Sequence, residues 1–517
     1  MKVPFFTRLN LAYKVAIGTV SKRYFEGAST SRLTSDWGTT VTSADAELRN
    51  DLGALRSRWR ELERNNDYAS RFLTLIENNV IGPDGIDLHM HILDPSGDLD
   101  SQACGKVEAS WSKWSKRENC TISGMFSFDD VCRLALRSVA RDGSCIIQKI
   151  KGKEAGNSFG FALKPMEGDH MDRFYSGYAP NGNEVRLGIE YDKDSVNQKR
   201  KPVAYWITPR HPGDFIGYSG NYTRRRVPAD EVIHLFRATR FEQSEGVPWG
   251  CSAMNGLNML GSYQETALIA ARAGACQEGY LETETGEEYL GDGKDTNGQP
   301  INTMEPGIVK TLPKGFSFKP NNPNNPNTAY GEYVKSVLRG ISAGLGVSYN
   351  TLANDLEGVN YSSIRAGLLD ERDMYKAIQR WFIAALLEQV FSDWLPLAFL
   401  SSEIALPFAK FDKFNQPTWK ARTWPWVDPK KDQEANILGT NNYLESPQHI
   451  LQSQGRSPEK VLDEIAEWQK MIKERGLPLP IPEQVTSKAE DTPPEDLPTE
   501  PSQKKPPNRV FPLKNYF

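Results

Sequence analysis

No stretch of about eighteen consecutive apolar residues occurs in this 517-residue chain, so no segment reads as a helix that spans a bilayer. Cysteine is sparse: Cys104, Cys120, Cys132, Cys145, Cys251 and Cys276 are scattered and form no CxxC pair. That spacing speaks against a disulfide framework or a zinc site, and it fits a reducing compartment. A basic surplus is missing too, because 62 Lys and Arg stand against 66 Asp and Glu, a formal net charge of −4. A protein that grips nucleic acid tightly needs excess positive charge on its contacting face, so this balance argues against one. It leaves room for a protein that DNA slides past without sticking.

What is present is ordinary globular material, 38% hydrophobic and 25% charged, in a chain too long for one compact core. Two or three domains, or one elongated subunit of several parts, are expected. The N-terminus (MKVPFFTRLNLAYKVAIGTVSKRYF) is basic and partly apolar, yet Arg8, Asn10 and Lys14 interrupt what a signal peptide would keep apolar. It reads as an arm or short helix that docks on a neighbour.

A charged helix is predicted over residues 44–79, stopped by Gly82-Pro83-Asp84-Gly85. Residues 86–240 mix short β-rich runs (86–93, 144–150, 159–164, 184–191, 202–208 and 231–237) with helices near 101–114 and 128–141. The class is therefore α+β. Residues 249–277 are rich in Gly, Ala, Met and Leu, as in a closely packed helix, and NNPNNPN marks a later turn region. Thr328 is placed to cap a helix whose Tyr330, Val334, Val337, Ile341 and Leu345 form one stripe, opposite Glu332, Lys335, Ser336 and Arg339. A loop over 347–360 leads to the longest helical pattern, 362–394, roughly 50 Å at 1.5 Å per residue. Residues 424–476 are polar and helical. Nine prolines between Pro478 and Pro507 then make a tail that cannot fold alone, ending in RVFPLKNYF. There is no internal repeat.

Each apparent chemical motif dissolves on inspection. Gly340-Ile341-Ser342-Ala343-Gly344 fits the GxSxG pattern, but the serine falls on an amphipathic helix, not a strand-to-helix elbow, and only His449 follows it. His89-Met90-His91 puts two imidazoles on one strand face without a third ligand nearby, which favours a structural or exposed role over a metal. The run from Gly291 to Gly298 lacks the lysine–hydroxyl pair of a phosphate loop, and its spacing misses the acids of a calcium loop. Glu282, Glu284, Glu287 and Glu288 read as a solvated loop. No catalytic group, metal or cofactor is expected.

Four stretches, taken in order, resemble the lambda family of phage portal proteins. They are RNNDYASRFLTLIENNVIGPDGI (64–86), VPADEVIHLFRATRFEQSEGVPW (227–249), RGISAGLGVSYNTLANDLEGVNYSSIRAGLLDERDMY (339–375) and WVDPKKDQEANI (426–437). One departure is visible: Ser244-Glu245-Gly246 stands where the family carries Arg-Gly after Gln243. The resemblance implies a ring, typically of twelve copies, at one capsid vertex, through which double-stranded DNA is packaged and ejected. It implies an elongated α+β subunit with an N-terminal arm (1–43), wing (44–249), first stem helix (250–277), clip (278–327), second stem helix (328–345) and tunnel loop (346–360). A long wing helix and return (361–427), a helical crown (428–476) and a disordered Pro-rich tail (477–517) complete it. The implied partners are further copies of the chain, the terminase large subunit, a head–tail connector, and major capsid and scaffold proteins, with assembly in the host cytoplasm and a final place in the virion.

On that footing Lys335 and Arg339 are expected to form basic rings in the channel, with Tyr349, Asn350, Asn354 and Asn360 of the tunnel loop touching the duplex. Alternatively, Lys335 or Arg339 pairs with a neighbour's Asp355 or Glu357. Glu287, Glu288, Asp292, Lys294 and Asp295 are expected on the partner-facing clip. Twelve copies of a chain of charge −4 carry about −48 in all, a field that repels DNA overall. Two rival readings are another ring-forming head–tail component and a serine hydrolase using Ser342.

Overall fold

Ser43 opens the first helix, α1 (Ala44–Asn65), by accepting a hydrogen bond from the Ala46 N–H at 3.2 Å. The single helix expected over 44–79 is in fact two. Asn66 adopts an extended backbone (φ −125°, ψ 120°), and its side chain accepts from the N–H groups of Tyr68 and Ala69, both at 3.1 Å. It thereby caps α2 (Asp67–Val80). Asparagine competes in this way because its short amide reaches backbone donors that a continuing helix would leave to carbonyls.

A computed structural model describes residues 32, 38, 40–94, 97, 99–193, 201–214, 224–276, 279–283, 293–294, 300–301, 316–320, 329–357, 361–424, 429–453 and 458–476. Most of the expected N-terminal arm, most of the expected clip and the Pro-rich tail lie outside the described residues. So do Glu287, Glu288, Asp292, Asp295, Asn360 and Thr328.

Residues 1–438 form one compact unit and 439–517 a second. In the first, strand β1 (Asp87–Met90) precedes α3 (Ser101–Trp114) and α4 (Phe128–Asp142). A capping box between Ser127 and Asp130 starts α4, and Gly143 at φ 89° ends it. Then β2 (Ser144–Lys151) lies between β3 (Phe161–Glu167) and a later strand in a three-stranded antiparallel sheet, with Ile147 opposite both Pro165 and Ile233. The strand expected over 184–191 is a hairpin. Leu187 (φ 50°) and Gly188 (φ 81°) turn the chain, and alternating pattern alone does not reveal such a turn. A five-stranded antiparallel meander results: β4 (Gly177–Tyr178), β5 (Glu184–Arg186), β6 (Ile189–Tyr191), β7 (Pro202–Ile207) and β8 (Arg225–Pro228). Strand β9 (Val232–Phe236) returns to β2.

Helix α5 (Met254–Cys276), the strand pair Gly279–Thr283 with Phe316–Pro320, and α6 (Tyr330–Leu345) follow. Ala329 stands at the N-cap of α6 and makes no side-chain cap hydrogen bond. The expected loop after α6 contains a short helix, α7 (Tyr349–Ala353). Helix α8 then runs from Tyr361 through a π turn at Ile383–Leu387 to Leu400, past the expected end at Trp394. Pro396 lies inside this final stretch without ending it.

The second half of α8 is the heart of the core. Trp394 and Phe391 are fully buried, with Trp111 centred 5.0 Å from Trp394 and 5.7 Å from Phe391. Trp114, Phe128 and Trp419 complete the aromatic cluster around Trp111. Residues 367–400 pass, by length and composition, as a helix able to cross a membrane, with a window of mean hydropathy 1.4. A search for unbroken apolar runs misses it because Glu388 and Asp393 interrupt it. Here that apolarity packs the core, and Asp393 is held by Lys149 at 2.6 Å and Lys151 at 2.8 Å. The described part of the second unit holds helices Pro447–Ser453 and Pro458–Glu474.

Candidate functional site

Helices α5 and α6 run antiparallel and touch through small and aromatic residues. A Cβ on Gly256 would meet Ile341 at 3.1 Å, the Ser252 hydroxyl donates to the Gly344 carbonyl at 2.9 Å, and Tyr263 stacks on Tyr330 at 5.8 Å. The expected stripe of α6 holds: Ile341 and Leu345 are buried and Tyr330, Val334 and Val337 partly so, joined by the buried Leu338, while Glu332, Ser336 and Arg339 are exposed and Lys335 is half-buried. On α5 and α6 several apolar side chains nonetheless face solvent: Met259 and Leu268 (72% each), Ile269 (59%) and Tyr333 (52%).

Ser342 belongs to the buried stripe. Its hydroxyl donates to the Leu338 carbonyl at 2.7 Å within the same helix, so it is neither an exposed nucleophile nor paired with a histidine. The GxSxG match is a helix-packing pattern.

Gly346 (φ 73°) ends α6, and the Val347 N–H returns to the Ser342 carbonyl at 3.1 Å. The loop that follows is tied down at its base by Glu371, only 6% exposed on α8. Glu371 accepts from the Ser348 N–H and from the Thr351 hydroxyl, the latter at 3.1 Å. Beyond α7, Asn354 turns the chain at φ 53°, a left-handed conformation asparagine tolerates better than most residues. Asp355 then becomes a hub. It accepts from the Tyr349 hydroxyl at 2.7 Å and from the Glu357 N–H at 3.0 Å, and Lys335 Nζ stands 3.5 Å away. Those two hydrogen bonds, with Lys335 behind them, hold the Asp355 carboxyl below its ordinary range. Burial and the bond to Asp355 push the Tyr349 phenol up to about 12.

The structure therefore brings together Lys335, Arg339 and Tyr349 of the expected channel residues. The Arg339 guanidinium lies over the Tyr349 ring at 5.6 Å, and Lys335 is 3.8 Å from Glu357 as well as 3.5 Å from Asp355. The acids named as a neighbour's partners for Lys335 thus reach it within one chain. Asn350 is half-buried and contributes its carbonyl, which accepts from the Asp355 N–H at 3.2 Å, while Asn354 is exposed. Glu371 escaped the sequence reading because a buried acid on a charged helix looks like any solvated one. Of the clip-facing residues, Lys294 falls on a two-residue strand, Gly293–Lys294.

A second polar cluster lies in the first unit. Arg56 is 2% exposed and donates to the Asp142 carbonyl (2.7 Å), the Ser144 hydroxyl (3.0 Å) and Glu245 (3.1 Å), with Asp169 at 3.3 Å. Burial by itself would raise the Glu245 carboxyl, but His234, Arg56 and Ser144 hold it below its ordinary range. Ser244 accordingly sits buried between Asp45 and Tyr191, its Oγ 2.8 Å from Asp45 and 2.9 Å from the Tyr191 hydroxyl. The sequence departure at 244–246 is thus embedded in the fold. Glu167, Asp169 and His211 come close enough to hold a metal, yet Arg56, Arg60 and Arg141 already neutralise the two acids. Strand β1 ends at Met90, leaving His91 outside it.

The model of the lambda family of phage portal proteins matches residues 30–379. A probable portal protein of Halomonas phage phiHAP-1 is 36% identical over 466 residues, 89% of this chain and 88% of the relative. Portal protein B of Escherichia phage lambda is 21% identical over 403 residues, 72% of this chain and 73% of its own. Among solved structures, the neck of an empty gene transfer agent particle computed with C6 symmetry aligns over 79% of this chain and 94% of its own, at 14% identity and a TM-score of 0.42. With the family model spanning more than half of the chain and a relative of 36% identity covering nearly all of it, the chain belongs to the lambda family of phage portal proteins.

Proposed function

We propose that the chain is the subunit of a ring at one capsid vertex of a virion, through which double-stranded DNA is packaged and later ejected. In this reading it performs no chemistry itself. It docks the terminase large subunit and then a head–tail connector, among major capsid and scaffold proteins. Residues 44–249 and 361–427 act as the wing, 250–277 and 328–345 as the stem, 278–327 as the clip, 346–360 as the tunnel loop and 428–476 as the crown.

The observation that carries the reading is the solvent-facing apolar surface of α5 and α6. Met259, Leu268, Ile269 and Tyr333 stand exposed on two helices joined to a polar loop. Exposed apolar side chains on more than one side of a helical pair call for protein partners, and a closed ring supplies a neighbour on either side by repeating a single heterologous contact. Lys335, Arg339, Tyr349, Asn350, Asn354 and Asn360 face the duplex in this ring, and Glu287, Glu288, Asp292, Lys294 and Asp295 meet the docking proteins. Negative-stain electron microscopy with mass determination tests it. Rings with a central hole wide enough for a duplex are expected, and compact dimers or tetramers without a channel overturn the reading.

A further inference from the structure

We propose that Asp355 and Glu357 are built-in counterions for Lys335, keeping this cation from adhering to DNA phosphates. The inference rests on the channel role proposed above and concerns how that surface is regulated.

The geometry of the pair carries it. Lys335 Nζ lies 3.5 Å from Asp355 and 3.8 Å from Glu357, at only 31% side-chain exposure. Such separations neutralise charge without the short contact of a locked ion pair, so a competing anion can exchange in. The acids differ in freedom. The Glu357 side chain is 87% exposed, whereas Asp355 is fastened by the Tyr349 hydroxyl and the Glu357 N–H, on a loop whose base is tied to Glu371. Asp355 therefore cannot swing clear when a phosphate approaches. Any phosphate that captures Lys335 leaves a fixed carboxylate beside it without a counterion, and their repulsion opposes the capture. Arg339, over the Tyr349 ring, forms no ion pair among the described residues and stays available for a brief contact. A surface of this kind touches DNA without retaining it.

The test is binding of a short duplex at stepped salt concentrations by the full chain and by the isosteric double variant Asp355→Asn/Glu357→Gln. Each Lys335 newly engaged with phosphate should deepen the loss of affinity between roughly 50 and 200 mM salt by about 3.5-fold, since each phosphate contact adds about 0.9 to the logarithmic slope. Adding Lys335→Ala to the double variant should abolish the gain. The control Asp51→Asn/Glu388→Gln removes the same charge from exposed positions on other helices and should leave the slope near the parent's. No gain, an equal gain in the control, or a gain that survives Lys335→Ala overturns the proposal. If the double variant does not fold, Glu357→Gln alone carries the comparison through a smaller gain, because so exposed a side chain supports no core. Micrographs of the same preparations report ring formation separately, so loss of the portal reading and loss of this inference are read from different measurements.

Discussion

The first unit and the α5–α6 pair within it use the same residue types to opposite ends. Around Trp111 the aromatic side chains close on one another: Trp114, Phe128, Phe391, Trp394 and Trp419 all lie with ring centres 4.9 to 5.7 Å from Trp111. On α5, Met259, Leu268 and Ile269 stay largely exposed among the described residues. The polar groups divide the same way. Arg56 is sealed among Asp142, Ser144, Asp169 and Glu245, while Lys335 keeps a loose, part-exposed pairing on α6. A domain core is finished by its own chain. A surface meant for other molecules is left incomplete, and this contrast tells the scaffold from the working parts.

The contrast can be broken hardest at Arg56. Arg56→Ala strands the buried Glu245 without its guanidinium, while Asp169 keeps Arg60, and a loss of about 3–5 kcal/mol is expected in denaturant unfolding. A loss under about 1 kcal/mol would mean the cluster is not the keystone of this unit. Next comes Gly250→Ala. Its Cβ would meet the fully buried Trp59 ring at 1.9 Å, and overpacking of this kind costs about 1–3 kcal/mol. Urea unfolding of the variant should show an earlier midpoint at an unchanged slope.

A gentler test uses acid. Burial would raise Glu190, but Arg226, Asn181 and Asn183 outweigh it and lower the carboxyl to about 2 from an ordinary 4.5. A depressed carboxylate contributes stability that is complete above the ordinary value and fades as pH falls from 4.5 towards 2. Glu190→Gln should therefore lose stability at neutral pH and show a flatter decline across that window, followed by circular dichroism. The smallest effect on folding is expected at the helical pair. Leu268→Ser should move unfolding by no more than about 0.5 kcal/mol, since the side chain is exposed, yet it should weaken assembly measured by mass. A large fall in stability there would erase the distinction between the two regions.

Periodicity made much of this architecture readable in advance. The helix Ser101–Trp114 appears with the bounds expected, and the stripe on α6 is buried where it was read. The misses share a cause, which is local backbone choice. Asn66 could continue a helix or cap a new one, and Leu187-Gly188 could extend a strand or turn it. Both outcomes depend on what packs on either side. Ser342 was readable as helix interior because its glycines fall among apolar residues at helical spacing. Glu371 was not, because nothing local distinguishes an acid that will receive a loop's N–H from one that faces water.

By itself the sequence determined the class, the order of helices and strands, the polar face of α6 and the family to which the chain belongs, since each rests on residue type and spacing along one dimension. Tertiary structure alone decided which charges meet. It joined Arg56 to Glu245 across 189 positions and set Lys335 against Asp355 and Glu357. Electrostatic energy depends on separation in space and on burial, and neither quantity is written in the linear chain.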